Sequence, residues 1–392
     1  MRGFFRSRGM RKLLRDRFAV ISLVIIGAYL LVALTLLAGG VISKDATFAR
    51  VGPNTMVGFL EQPTIEQRLH YAEFYLDQIT TAAESRSAEA ALAAVEFNGR
   101  RPVVQEPEAA LERVEPLWEV YDELTDLHET DAFLGTADAE PRLAALEAEI
   151  QTLYTPTEGL VRRLAETLGT DRQGRSIFLR AMYSIKVAVQ IGLVSALISV
   201  LIGALLGGMA AFIGGVVDHA IVWLYSTFAA IPYIVLLMVL AAMFLGSRFE
   251  GTLIPVYTAF CLTFWIGPCR VIRGEVMKLR ELEYVQAATA VGFGRGRILL
   301  KHILPNTVHL MFINFSLLFI GAIKAEVILS FLNLGVKNEP SWGVMIQQAR
   351  QEVISGFFWQ IGAATAFMFL LVLAFNVFSD ALQDAFDPKH VG

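Results

Sequence analysis

Few side chains in this 392-residue sequence are spaced to make or break bonds. The two cysteines, Cys261 and Cys269, lie eight residues apart in one apolar stretch. On a helix that separation is too long for a disulfide, and free cysteine in apolar surroundings packs as a small hydrophobe. The six histidines are scattered without zinc-type spacing. No Gly-x-x-x-x-Gly-Lys-Ser/Thr segment occurs, so no loop of this chain is built to cradle ATP phosphates. The pattern that does stand out suits mechanical work. Residues 283–305 read EYVQAATAVGFGRGRILLKHILP, a polar, glycine-punctuated segment between two strongly apolar stretches.

Within that segment Leu282, Val285, Ala288 and Val291 would form one apolar edge of a short helix. Ala287 and Ala288 are small enough for another protein's groove to approach closely. Gly292, Gly294 and Gly296 would permit a sharp turn, because glycine tolerates positive φ. A second short segment, Ile298 to Leu304, is apolar on one side and carries Arg297, Lys301 and His302 nearby. Pro305 is expected to end it. Such a helix–turn–helix at a membrane face can transmit a rigid push. It could also be a surface loop that only stabilises a bundle.

The elements that must hold this segment are apolar. The chain is 55% hydrophobic and contains 27 phenylalanines, beyond what a soluble domain of this length carries. Spans are expected at 18–42, 185–214, 219–246, 252–272, 307–331 and 359–382. Gly214 and Gly215 mark a tight break between the second and third. Arg2, Arg6, Arg8, Arg11, Lys12, Arg15 and Arg17 precede the first span and place the N-terminus in the cytoplasm. A cleaved signal peptide is the competing reading, but its apolar core would run only about 7–15 residues. Counting spans, the loop at 273–306 and the C-terminus are then cytoplasmic as well. Arg270, Arg273, Lys278, Arg280, Arg295, Arg297 and Lys301 agree with that side. Arg172, Arg175, Arg180 and Lys186 fall outside and disagree, after a long segment that crosses largely regardless of charge.

That segment, 43–168, has roughly twice as many acids as bases, which marks a solvated region. Ile65, Leu69, Ala72, Leu76 and Ile79 share a helical face after Thr64 and Gln67 at capping-box spacing. Ala110, Val114, Leu117, Tyr121 and Leu124 repeat the pattern, as do Leu143, Leu146, Ile150 and Leu153. The stripes predict antiparallel helices packed as a hairpin or small bundle. Thr155, Pro156 and Glu158 read as the start of another helix. An enlarged structural loop, a docking surface for a delivery protein and a sensory domain are all compatible uses.

Five motifs then occur in one order. Gln286, Ala287, Ala288, Gly292, Ile303, Leu304 and Pro305 resemble the Glu-Ala-Ala, three residues, Gly, spacer, Ile-Leu-Pro pattern of bacterial ABC importer membrane subunits. Residues 169–176, GTDRQGRS, are similar to the Gly-Thr-Asp-x-x-Gly-Arg-Asp of C-type permease subunits of oligopeptide and dipeptide importers. Residues 325–335, AEVILSFLNLG, resemble that family's Ala-Glu-x-x-Leu-Ser-Phe-Leu-Gly-Leu-Gly. Pro340, Ser341, Trp342 and Gly343 match its Pro-Ser-Trp-Gly, and Asn376, Asp380, Asp384, Asp387 and Pro388 fit its ending. The departures are Ser176 for Asp, Gln286 for the coupling glutamate, Ser226 where an acid is common, and the long insert. Ser176 can still cap a helix.

The resemblance covers about 170–390 plus the first span, and it implies a complete architecture. The fold would be an all-α polytopic membrane protein with six transmembrane helices of the type I ABC importer kind and a helical extracytoplasmic insert. Its domains would be 1–42, the N-terminus and first span; 43–168, the insert; and 169–392, a core of five spans with coupling loop 273–306. The protein would be a multi-pass subunit of the bacterial cytoplasmic membrane, not an enzyme. It would move short peptides, with a nickel complex, glutathione or another small solute as alternatives. Its partners would be a homologous second permease, two ATP-binding subunits, an extracytoplasmic substrate-binding protein and membrane lipid, with no nucleic acid. No cofactor belongs to this chain, since ATP and Mg would sit on the ATPase subunits. Glu283, Gln286, Ala287, Ala288, Gly292, Arg297, Leu304 and Pro305 are the expected ATPase-coupling residues. Pro232, Trp265, Lys324 and Glu326 are pathway or gate candidates, Pro232 also as a kink in the third span. Glu326 could instead bond the backbone of the loop that follows it. Two other classes, a membrane receptor with an outer sensor domain and a channel opening without ATP, remain compatible with the pattern.

Overall fold

The computed structural model describes residues 16–39, 42–48, 64–84, 100–102, 107–130, 132–133, 136, 138–156 and 167–386. The expected basic cluster before Arg17, Glu158 and the ending at Asp387 and Pro388 lie outside these residues. By contacts the chain divides into two compact units. One comprises 1–38, 184–348 and 364–392, and the other comprises 39–183 and 349–363.

In chain order the helices are α1 Arg17–Leu37, α2 Lys44–Phe48, α3 Ile65–Glu84, α4 Pro107–Glu129, α5 Ala139–Thr152, α6 Ile177–Ile213, α7 Gly215–Ala229 and α8 Tyr233–Ala242. They continue as α9 Ile254–Thr263, α10 Ile266–Leu279, α11 Glu283–Ala290, α12 Arg295–Ile298, α13 Val308–Phe331, α14 Trp342–Ile354 and α15 Trp359–Phe386. Two three-residue strands, β1 Arg100–Pro102 and β2 Tyr154–Pro156, pair antiparallel. Thr155 and Pro156, expected at the start of a helix, lie in β2, and the residues that would continue that helix lie outside the described ones.

Among the described residues, five helical segments are long and apolar enough to cross a membrane, or six if the pair α7 and α8 is one span. That pair bends by 87° at Pro232, so the expected span at 219–246 is broken and not merely kinked. Proline lacks the N–H that would continue the ladder, and Pro232 sits extended at φ −54° and ψ 125° as the N-cap of α8. Gly214 and Gly215 both have positive φ and form the expected corner between α6 and α7.

α1 shows how little packing a span here needs. Ala19, Ser22, Ile26, Tyr29, Ala33 and Leu36 are buried, a three–four stripe down one side. Phe18, Val24, Leu31 and Leu34 are exposed, as lipid-facing positions are. Asp16 caps α1 by accepting from the Phe18 N–H. Tyr29 donates to the Phe367 carbonyl at 2.9 Å, tying α1 to α15.

α6 packs by close backbone approach. A methyl at Gly203 would lie 2.6 Å from the Trp265 carbonyl, and one at Gly207 would overlap the Cys269 carbonyl. Small residues let helices touch where lipid tails supply no hydrophobic drive. At Gly192 a methyl would meet the Phe319 ring at 2.7 Å, which seats α13 against the same helix.

In the other unit, α3, α4 and α5 enclose one core. Leu69, Ala72, Leu76, Ile79, Val114, Leu117, Leu124, Leu143, Leu146, Ile150 and Leu153 are buried in it, with Ile65 and Tyr121 against it. These are the stripes legible in the sequence. The capping box is present, with the Thr64 N–H donating to Gln67 Oε1 at 2.9 Å and the Gln67 N–H to Thr64 Oγ1 at 3.3 Å. Arg68 forms a bidentate pair with Glu147, and Trp118 donates to Thr80 Oγ1.

Gly207→Ala should destabilise the chain by about 1–3 kcal/mol, because the methyl has only backbone to displace. Gly274, also in a helix, has open space around it. Gly274→Ala should be neutral or gain up to about 1 kcal/mol. Thermal unfolding of both variants in detergent checks the contrast.

Candidate functional site

α11 begins after Leu282, whose extended backbone turns the chain out of α10. Val285 and Ala288 are buried against Ala204, Ala211, Ile272, Val276, Ile298, Leu299 and Ile303, so α11 rests on the ends of α6 and α10. Leu282 and Val291, expected on the same edge, are exposed at 44% and 75%. They are the N-cap and C-cap of α11, where the chain turns away from the helix. Tyr284, Ala287, Phe293 and Leu300 are exposed as well, leaving an apolar outer face.

The turn has a definite geometry. The Phe293 N–H donates to the Ala288 carbonyl and the Gly292 N–H to the Thr289 carbonyl, with Gly292 at φ +87°. This is a Schellman ending, in which a left-handed residue satisfies the last carbonyls. Only Gly292 uses the freedom expected of all three glycines. Gly294 has φ −62° and caps α12, and Gly296 lies within that helix.

Pro305 does not end the second segment. After α12 come a π-turn at Leu299–Ile303 and a 3₁₀ turn at Leu304–Thr307, and the chain runs on into α13. Arg295–Phe331 is thereby one helical element of 37 residues. The π-turn and the tighter 3₁₀ turn re-register the ladder around the missing proline N–H. Asn306 closes the hairpin, its side-chain amide donating to Tyr284 Oη at 2.9 Å and to the His302 carbonyl at 2.8 Å. Arg297 lies 5.9 Å from the Phe293 ring centroid, and His302 stacks on that ring. Gln286 is exposed and donates to the Glu281 carbonyl at 3.0 Å, while Glu283 is exposed in the first turn. Leu304 packs against the buried cluster and Pro305 is exposed.

The candidates inside the spans are not brought together. Trp265 is 5% exposed, donates to the Leu262 carbonyl and packs with Ala210, Ile221 and Cys269. Lys324 is exposed on α13, whereas Glu326 is buried, in keeping with two positions on different sides of a helix. Ser330 donates to Glu326 Oε1 at 2.6 Å, and the Ser341 hydroxyl bonds the same carboxyl. The described partners of Glu326 are therefore the Ser330 and Ser341 side chains, the second just before α14. A methyl at Gly343 would lie 2.7 Å from Ser330 Cβ and 3.3 Å from Glu326 Oε1. The two motifs that read as separate in the sequence therefore interlock. Asn333 has φ +62°, and Leu334 N–H and Asn333 N–H donate to the Leu329 and Ser330 carbonyls. It ends α13 in the same way that Gly292 ends α11, and it stands where the resembled pattern has glycine.

The segment 169–176 closes on Asp171. Its Oδ1 accepts from the Gln173 and Arg175 N–H groups, and its Oδ2 from Arg175 Nε and Arg180. Ser176 caps α6 by accepting from the Leu179 N–H. Glu352 accepts from the Arg172 N–H at 2.9 Å, and burial pushes its carboxyl above the usual range. Nothing in sequence spacing linked 172 to 352.

Apolar spans with a structured hairpin held between α10 and α13 define a multi-pass membrane protein. Residues 167–391 match the family described as binding-protein-dependent transport system inner membrane component, and the chain belongs to that family. The first span and the insert lie outside the matched residues. The chain is 37% identical over 222 residues to the dipeptide transport system permease protein DppC of Bacillus subtilis, covering 56% of this chain and 68% of that one. It is 32% identical to the oligopeptide permease protein OppC of the same organism, covering 56% and 71%. It is 33% identical to the glutathione transport system permease protein GsiD of Pectobacterium atrosepticum, covering 57% and 73%. Among solved structures, a chain of the inward-facing MetNI methionine ABC transporter aligns with a TM-score of 0.44 at 14% identity, covering 54% of this chain and 98% of that one.

Asn333→Gly should leave stability unchanged, while Asn333→Val should cost about 1–2 kcal/mol, the penalty of a β-carbon in the left-handed region. Denaturation of the purified variants tests the assignment.

Proposed function

We propose that this permease subunit forms half of an ATP-driven import pathway for short peptides and that 283–305 is its contact with separate ATP-binding subunits. The observation that carries the reading is the two-sided α11. Its inner face is locked onto α6 and α10, and its outer face offers Ala287, Val291 and Phe293 to solvent. An apolar face held rigidly by a structured turn suits a partner's groove. The peptide assignment follows the names of the dipeptide and oligopeptide relatives. GsiD keeps a second cargo, glutathione, in view.

In this reading a homologous permease completes the pathway, and a substrate-binding protein delivers cargo from outside. Helices α3–α5 form an extracytoplasmic domain, and both termini are cytoplasmic. The outward cations that broke the charge rule support that orientation, since each meets a polar or acidic partner. Arg175 and Arg180 pair with Asp171, Lys186 faces Glu339 at 3.9 Å, and Arg172 bonds Gln351.

Gly292→Arg should abolish retention of the ATPase subunits while leaving the chain in the membrane, because φ +87° and the turn disfavour any side chain there. Gln286→Glu loses one exposed donor and should be tolerated. Affinity purification of each variant, with the retained ATP-binding subunits quantified, separates the two. Full retention with Gly292→Arg would show that the hairpin is not the contact.

A further inference from the structure

We propose that three arginines along one side of α10 and its C-cap form a clamp that makes α7 move with the coupling hairpin, Asp218–Arg273 being its main contact. The proposal rests on the docking reading of 283–305. Arg273 Nε donates to Asp218 Oδ1 at 2.6 Å and Nη2 to Oδ2 at 2.8 Å, a fork that fixes orientation as well as distance. Arg270, three residues back, lies 4.8 Å from the Tyr225 ring centroid. Arg280, seven residues on, donates to the Ala211 carbonyl at 2.9 Å. Spacings of three and seven put all three on one side of α10. They grip the end of α6 and two points on α7 about two turns apart.

Packing explains why this contact matters for α7 and not for α6. α6 is already held to α10 through Gly203 and Gly207. α7 has Ile221 as its buried residue, with Val216 and Trp223 exposed at 85% and 69%. Ile221 packs with Cys269 of α10, with Val217 and Tyr225 beside it, so the apolar seam is narrow and the clamp adds direction to it. Asp218 also lies in the first turn of α7, where a carboxylate is favoured by the helix dipole. Arg280 directly follows α10, and α11 begins three residues later at Glu283. A displacement of α11 therefore reaches α7 through α10. From α7 it reaches the 87° break at Pro232, where the chain can bend without breaking helix hydrogen bonds. Arg273 and Asp218 act as positioning residues, carrying motion between the docking site and the broken span.

The test uses the intact complex with its ATPase subunits in nanodiscs, with Cys261→Ser and spin labels at Trp223→Cys and Thr289→Cys, the latter exposed on α11 beside the docking face. Cys269 is fully buried and is left in place. Pulsed dipolar spectroscopy reads the 223–289 distance without nucleotide and after trapping with ATP and vanadate, so no transported solute is needed. With the clamp intact the distance should be the same in both states. In D218N, and in R273K, which keeps the charge but loses the fork, that constancy should be lost, and the D218R/R273D exchange should restore it. A distance that shifts with the clamp intact, or one unchanged in D218N and R273K, overturns the proposal. So does failure of both variants to assemble without rescue by the exchange, which would make the contact one of folding. Failure of the docking reading appears separately, as retention of the ATPase subunits by Gly292→Arg.

Discussion

The close approach of α6 to α10 is the constraint on which the rest of the core depends. Gly203 and Gly207 bring the two backbones into contact at the Trp265 and Cys269 carbonyls. Any side chain there would push the helices apart. Because they touch, Ile272 and Val276 of α10 and Ala204 and Ala211 of α6 make one surface, and Val285 and Ala288 settle α11 upon it. The same contact brings α10's arginines to the corner where α6 becomes α7. A soluble protein could secure such an arrangement by burying more apolar area. Within lipid that drive is absent, and shape and polar contacts must supply it.

Polar groups are accordingly spent where direction matters. Asp171, Glu326 and Asp218 are each met by donors that approach from a different element or a different turn. A buried carboxylate is costly unless bonded, so Asp171 and Glu326 specify an arrangement of neighbours, and the forked pair at the half-buried Asp218 fixes direction. Asp171 organises the entry to α6, Glu326 joins the end of α13 to the start of α14, and Asp218 joins α7 to α10. Gly292 and Asn333 play a comparable part in the backbone, ending two helices through the same left-handed turn.

Much of this was legible in the sequence because it rests on local rules. The insert's three apolar stripes, the Thr64–Gln67 box, the Gly214–Gly215 corner and the Ser176 cap depend on residues within two turns of one another, and all are present. The family motifs located the hairpin and the Glu326 region. Three things were not legible. The depth of the break at Pro232 depends on how α7 and α8 pack, not on proline alone. The passage of the chain through Pro305 needed a π-turn, which no composition signals. The pairs Asp218–Arg273, Asn306–Tyr284 and Arg172–Glu352 join residues 55, 22 and 180 positions apart, beyond the reach of periodicity. Glu326–Ser330 is the exception, since an acid and a hydroxyl four apart on a helix can be read directly.

In the proposed assembly an ATP-binding subunit covers the outer face of α11. A photoreactive amino acid at Val291, 75% exposed, tests it in the assembled complex, with a second at Leu373 on α15 as the lipid-facing control. Irradiation followed by mass spectrometry should join Val291 to a subunit carrying a Gly-x-x-x-x-Gly-Lys-Ser/Thr loop, and should join Leu373 to none. An adduct of Val291 to lipid alone, or to no ATP-binding subunit while ATP is still hydrolysed by the complex, would contradict the account.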